Sequence, residues 1–182
     1  MGARLLHEPG DARAQQILRM LPRTWVFADG GVVGANPSPL GGTWAFRVLR
    51  DQQKVHEEAG LIPPKYGPVS NNLSEIVAVL RGLDWARMQS IPEVSVASDS
   101  LITLRRITSE RAAWNGIPGP VRQWAHTLLR DVNVSGAVLL DGHPTRAHLE
   151  AGIGKSGRPV SEHNVWCDRA CGQIAARIKA VA

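Results

Sequence analysis

The 182-residue chain reads as an α/β protein with a central mixed five-stranded sheet, three antiparallel strands followed by parallel ones, flanked by helices. Three observations predict this. Three strand-like runs follow one another early in the chain with only short connections, the pattern of an antiparallel meander. Helical and strand periodicities then alternate, the pattern of a sheet covered by helices. With 43 % hydrophobic residues, the chain can also bury a substantial core.

Residues 1–22 are expected to form an N-terminal extension, and residues 23–182 the main domain. In the extension, Ala12–Leu21 has helical spacing, with Ile17, Leu18 and Leu21 on one face before Pro22 interrupts. Trp25, Val26 and Phe27 begin a buried strand that ends at Asp29 and the Gly30-Gly31 turn. The loop GANPSPLGG leads to a second strand, Thr43 to Leu49. After Asp51-Gln52 comes a third, about Lys54 to Ala59.

Ser70 or Asn71 can cap the next helix, whose Leu73, Ile76, Val77, Leu80 and Leu83 recur at helical spacing to about Met88. This places Glu75 in the first turn, where the helix dipole favours a carboxylate. Val94 and Val96 alternate with polar residues in a strand ending at Asp99, and a short helix runs from Leu101 to about Thr108. Ser109 to Pro120 reads as irregular, followed by a helix from Val121 to about Asp131. Val138 to Leu140 form the last strand, which leads into Asp141-Gly142-His143. A polar, Gly-rich loop reaches Glu162. His163 to Ala180 close the domain as a helix with Cys167, Cys171, Ile174 and Ile178 on one face.

A net charge of +5 and a pI near 9.9 favour a polyanionic partner, without separating nucleic acid from a membrane surface. No apolar run approaches the roughly 20 residues of a membrane span. The N-terminus carries Arg4, His7, Glu8 and Asp11 where a signal peptide needs apolar residues, so the expected location is cytoplasmic. Two cysteines suit a reducing compartment.

Asp29, Glu75, Asp99 and Asp168 each follow or interrupt an apolar run, where an isolated charge is costly and a shared divalent cation is a natural partner. His163, Cys167 and Cys171 stand at i, i+4 steps and offer a soft-metal alternative, but they lack an evident fourth ligand. Packing thiols are the preferred reading.

These segments, taken in order, resemble ribonuclease H of the bacterial and eukaryotic type 1 family, with phage-type divergence. VFADGGVVGANPSPLGGTWAF is similar to the family's first strand, Asp-Gly turn and Gly/Pro loop, and SNNLSEIVAVLRGL to its Asn-Asn-x-x-Glu helix. VSVASDS is similar to the strand carrying the third acid, LLDGH to the strand ending in Gly-His, and WCDRAC to the helix carrying the fourth. The resemblance spans about Thr24 to Arg177. Departures are Gly31 after Asp-Gly, Leu101 and Ile102 after Asp-Ser, the lack of a Lys-rich handle helix, and an enlarged segment between His143 and Asp168.

The resemblance implies a metal-dependent endoribonuclease that cuts the RNA strand of RNA/DNA hybrids, leaving 5′-phosphate and 3′-hydroxyl ends. Two Mg²⁺ ions, with Mn²⁺ as a substitute, would lie roughly 4 Å apart. Asp29 would bridge them, Asp168 would hold the water-side ion, and Glu75 with Asp99 the leaving-group-side ion. His143 would move a proton or assist product release, with His148 and His163 as competitors. Asn36 and Asn72 are candidates for sugar and base-edge contacts. Arg105, Arg106, Arg111, Arg122, Arg146, Lys155 and Arg158 are candidates for phosphate contacts, and Trp114 and Trp166 for stacking. The expected state is a monomer with no obligatory protein partner. A junction resolvase of the same fold and a non-catalytic hybrid-binding module are the alternatives.

Overall fold

A computed structural model describes residues 4–7, 23–109 and 111–182. The helix expected over Ala12–Leu21 lies outside the described residues. The strands are β1 (Arg4–Leu6), β2 (Thr24–Val32), β3 (Gly42–Arg50), β4 (Gln53–Ile62), β5 (Glu93–Ser98) and β6 (Asn133–Leu139). The helices are α1 (Asn71–Met88), α2 (Leu101–Thr108), α3 (Gly119–Asp131), α4 (Arg146–Ala151) and α5 (Glu162–Val181). Among the described residues, no helix is long and apolar enough to cross a membrane.

The strands form one mixed sheet in the order β1-β6-β5-β2-β3-β4. β2, β3 and β4 pair antiparallel, whereas β5 joins β2, β6 joins β5 and β1 joins β6 in parallel. Among the described residues the sheet therefore has six strands rather than the expected five. Arg4–Leu6, grouped above with the extension, pair with Gly136–Val138, and Leu6 is buried against the core. β6 also starts well before Val138, because the polar and glycine positions Asn133, Ser135 and Gly136 hide its apolar alternation.

Period-two alternation divides the core between the two faces of the sheet. Val26, Ala28, Phe46, Val48 and Val96 pack with Ile76, Leu80 and Leu83 of α1. Trp25, Phe27, Ala45, Leu49 and Ala97 pack with Cys167 and Cys171 of α5. Helices cover both faces, which is why the centre of β2 is a continuous apolar run rather than an alternating one.

Two glycines set how closely α1 lies on β2. A Cβ on Gly30 would sit 2.3 Å from the Ser74 carbonyl carbon, and one on Gly82 would sit 2.3 Å from Val26 Cγ1. Ser70 caps α1, its Oγ accepting from the Leu73 N–H at 3.2 Å. Glu75 is consequently the fifth helical residue, in the second turn rather than the first, so the dipole does less for its charge than expected.

Candidate active site

The site lies where the parallel part of the sheet ends. Asp29 is two residues past the last β2–β5 partner, although β2 itself continues to Val32 against β3. Asp99 follows β5 directly, before Ser100 caps α2. The close approach at Gly30 brings in Glu75 from α1. One carboxylate oxygen from each of Asp29, Glu75 and Asp99 lies within 4.8 Å of the others. Asp168, exposed on α5, lines the same cleft of about 400 Å³ together with Asn72, Ser100 and His143.

The cluster is electrostatically frustrated. Asp29, 5 % exposed, is pushed from 3.8 to about 8, first by burial and then by the charges of Asp99 and Asp168; the Gly30 N–H, 2.8 Å from its Oδ1, works in the opposite direction. Glu75 is held well above its ordinary value by burial, then by Asp29 and Asp99. Asp99 is raised mainly by burial. Glu75 Oε2 is buried without a hydrogen-bond partner. Converging oxygen donors, one of them orphaned, fit a hard divalent cation, which would remove both the repulsion and the orphan.

The soft-metal alternative is not formed. Cys167 Sγ donates to the Phe27 carbonyl at 3.6 Å and Cys171 Sγ to the Asp29 carbonyl at 3.5 Å. Burial raises both thiols, Cys171 to about 12. They pack α5 onto β2 as neutral side chains. His163 instead contacts the Arg47 guanidinium at 3.2 Å and packs on Phe27, with burial and then Arg47 lowering its proton affinity.

Of the three candidate histidines, His143 alone lines the cleft. Its Nδ1 lies 3.7 Å from Asp168 Oδ2, and its backbone adopts a φ of 50° that turns the chain past Asp99. Gly142 leaves room for this turn, since a Cβ there would meet Asp99 Oδ2 at 2.7 Å. His148 belongs to α4, where its ring nitrogen accepts from the Thr145 N–H in a capping box. That short helix occupies part of the segment read from sequence as a polar, Gly-rich loop.

The candidate nucleic-acid contacts separate in the same way. Asn72 is exposed on the cleft rim, and Asn36 pins the Gly/Pro loop beside it by accepting from the Asn71 N–H at 3.1 Å. Arg105 and Lys155 are exposed. Arg146 is paired with Glu150 at 2.9 Å, while Arg158 donates to the His7 carbonyl at 3.1 Å. Arg106 departs from expectation: it is buried, with Nε donating to the Ala113 carbonyl, and does not line the acidic cleft. Helical spacing alone could not show that it turns inward.

Two residues escaped the sequence reading. Asp141 is buried and accepts from the Ser156 N–H at 2.7 Å, folding the enlarged segment back on itself. Its position beside Gly142-His143 was the available signal. Asn164, also buried, lines a smaller cleft of about 260 Å³ with Asp99, His143 and Asp168.

No protein-family profile and no curated protein matches the chain. Solved structures do match. The N-terminal RNase H domain of Rv2228c from Mycobacterium tuberculosis is 18 % identical, with a TM-score of 0.62, covering 89 % of this chain and 100 % of that one. RNase H1 from the halophilic archaeon Halobacterium salinarum is 18 % identical at a TM-score of 0.59, covering 85 % and 98 %. LC11-RNase H1 in complex with an RNA/DNA hybrid is 18 % identical at 0.57, covering 87 % and 99 %. The chain thus has the fold of ribonuclease H type 1 domains along most of its length.

Proposed function

We propose that the protein is a metal-dependent endoribonuclease that hydrolyses the RNA strand of RNA/DNA hybrids. The observation carrying this reading is the convergence of the Asp29, Glu75 and Asp99 oxygens within 4.8 Å in a fold shared with ribonuclease H domains, one of which was solved with a hybrid bound. Asp29, Glu75, Asp99 and Asp168 would hold the divalent ions, Mg²⁺ being the physiological candidate. Such ions supply a nucleophilic water at neutral pH and neutralise charge on the phosphate.

The chain's own residues prepare that chemistry. Gly30 admits α1 close enough to deliver Glu75, and Ser70 fixes the start of that helix. Asp168, the most solvent-accessible of the four acids, stands where a water molecule can enter, with His143 Nδ1 3.7 Å away to exchange a proton with the departing oxygen or with solvent. Asn72 on the rim, with Arg105 and Lys155, which are exposed, would contact a polyanionic substrate; sugar recognition through the 2′-hydroxyl would confine cutting to RNA. The products would carry 5′-phosphate and 3′-hydroxyl ends.

The test uses end-labelled RNA/DNA hybrid, duplex RNA, duplex DNA and a four-way junction, each with Mg²⁺ and with EDTA. Cleavage confined to the RNA of the hybrid and abolished by EDTA is expected. Metal-dependent cutting of the junction alone, or hybrid bound but never cut, would overturn the proposal.

A further inference from the structure

A second cavity, of about 530 Å³, lies at the opposite end of the sheet from the acids. It is lined by Arg106 of α2, Trp114 of the following connection, His126 and Arg130 of α3, and Asn133 where β6 begins. β6 runs parallel to β5, which ends at Asp99. The cavity and the acidic cleft are thus about one strand length, roughly 20 Å, apart.

Its wall contains a buried guanidinium, Arg106, that lies over the Trp114 ring at 5.8 Å and keeps one nitrogen without a hydrogen-bond partner. Arg106 is 6 % exposed; Nε donates to the Ala113 carbonyl at 3.1 Å and one terminal nitrogen to the Asn115 carbonyl at 3.4 Å, but NH1 has no partner. Among the described residues no carboxylate lines the cavity. Desolvation alone pulls the Arg106 guanidinium below its ordinary value, with no acid offsetting it. A buried cation in this state is costly unless an anion joins it. Arg130 stands at the same cavity with its side chain 77 % exposed, its Nε 3.7 Å from the carboxylate of Asp131, which does not itself line the cavity. The rings of Trp114 and His126 lie 5.6 Å apart beside it, and the volume is that of a small-molecule site.

We propose that this cavity binds a phosphate-bearing ligand of nucleotide size, with Arg106 and Arg130 holding the phosphate and Trp114 with His126 receiving the base. The phosphate could belong to a free mononucleotide or to a nucleotide within a strand, since the two share one chemistry. The proposal does not depend on hydrolysis at the acids and is tested without it.

Calorimetric titration of the full chain in EDTA, where the acidic cleft offers no cation to a phosphate, is the experiment. Adenosine 5′-monophosphate should bind one site saturably, at least about tenfold more tightly than adenosine or inorganic phosphate. Arg106→Met removes the hydrogen bonds that hold the following connection, so Arg130→Glu, on an exposed side chain, is the decisive variant and should weaken binding at least about tenfold with an unchanged melting curve. A DNA oligonucleotide that displaces the mononucleotide places strand phosphates in the site; one that does not confines the site to free nucleotides. Absence of saturable binding up to about 10 mM, affinity unchanged in Arg130→Glu, or inorganic phosphate binding as tightly as the nucleotide would each overturn the proposal.

Discussion

Asp29 is held where a bare carboxylate is costly and either a proton or a bound cation relieves it. With its carboxyl raised from 3.8 to about 8, the folded protein binds a proton there that the unfolded chain has already lost. The associated stability is present below 3.8 and is lost as pH rises through about 8, and Glu75 is shifted in the same direction. The metal-free melting temperature should therefore fall across this range. Mg²⁺ should raise it by more at pH 8 than at pH 5, as read by calorimetry; an increment independent of pH would show that these carboxyls are not the ligands. Asp29→Asn should flatten the metal-free dependence and reduce hybrid cleavage at least about a hundredfold while sparing hybrid binding. His143→Ala should slow turnover by about tenfold to a hundredfold, less than loss of a ligand, because solvent can replace a proton carrier at an exposed position. An unaffected rate would leave no histidine in the mechanism, since His148 caps α4 and His163 is engaged by Arg47. The four acids were legible in the sequence because each interrupts an apolar run. The inward turn of Arg106 was not, because burial of a guanidinium depends on the loop that supplies its carbonyl partners.

At the scale of elements, the site is assembled by the α1–β2 contact. The two glycines in that contact can be separated experimentally. A Cβ at Gly30 would meet backbone, the Ser74 carbonyl carbon at 2.3 Å and the Glu75 nitrogen at 2.4 Å, so Gly30→Ala must lift the helix turn that carries Glu75. At Gly82 the obstacle is a Val26 methyl, farther along the helix from the acids. Both substitutions should destabilise the fold by about 1–3 kcal/mol in urea unfolding, through overpacking. Only Gly30→Ala should also weaken Mg²⁺ affinity and reduce kcat. Equal kinetic losses in the two variants would mean that α1 moves as one body and that Gly30 has no special part in placing Glu75. The meander, α1, α2, α3 and α5 were readable because apolar periodicity persists over several residues in each. β1 and α4 have three and six residues, too few to show a period, and their order comes from pairing with β6 and from the Thr145 capping box.

Across the whole molecule, the end of the sheet that lacked a sequence signal supports the exposed half of the site. Leu6 of β1 is buried beside Val138, and the His7 carbonyl that follows accepts from Arg158. Arg158 adjoins Pro159, whose carbonyl accepts from the Asp141 N–H, while the Asp141 carboxylate accepts from the Ser156 N–H. Asp141 in turn precedes the Gly142-His143 turn. A continuous chain of contacts therefore runs from β1 to the histidine, and it explains how a long connection between β6 and α5 can still place His143 beside Asp168. Leu6→Ala should cost about 2–4 kcal/mol in urea unfolding, as loss of a buried leucine does elsewhere, without changing kcat of the folded fraction. Asp141→Ala leaves the Ser156 N–H without its acceptor and should cost about 1–3 kcal/mol. Because it also frees the base of the His143 turn, this variant should lower kcat several-fold, and combining it with His143→Ala should add little further loss. Additive losses in the double variant would separate Asp141 from His143, leaving the enlarged segment as a structural closure of the sheet edge alone.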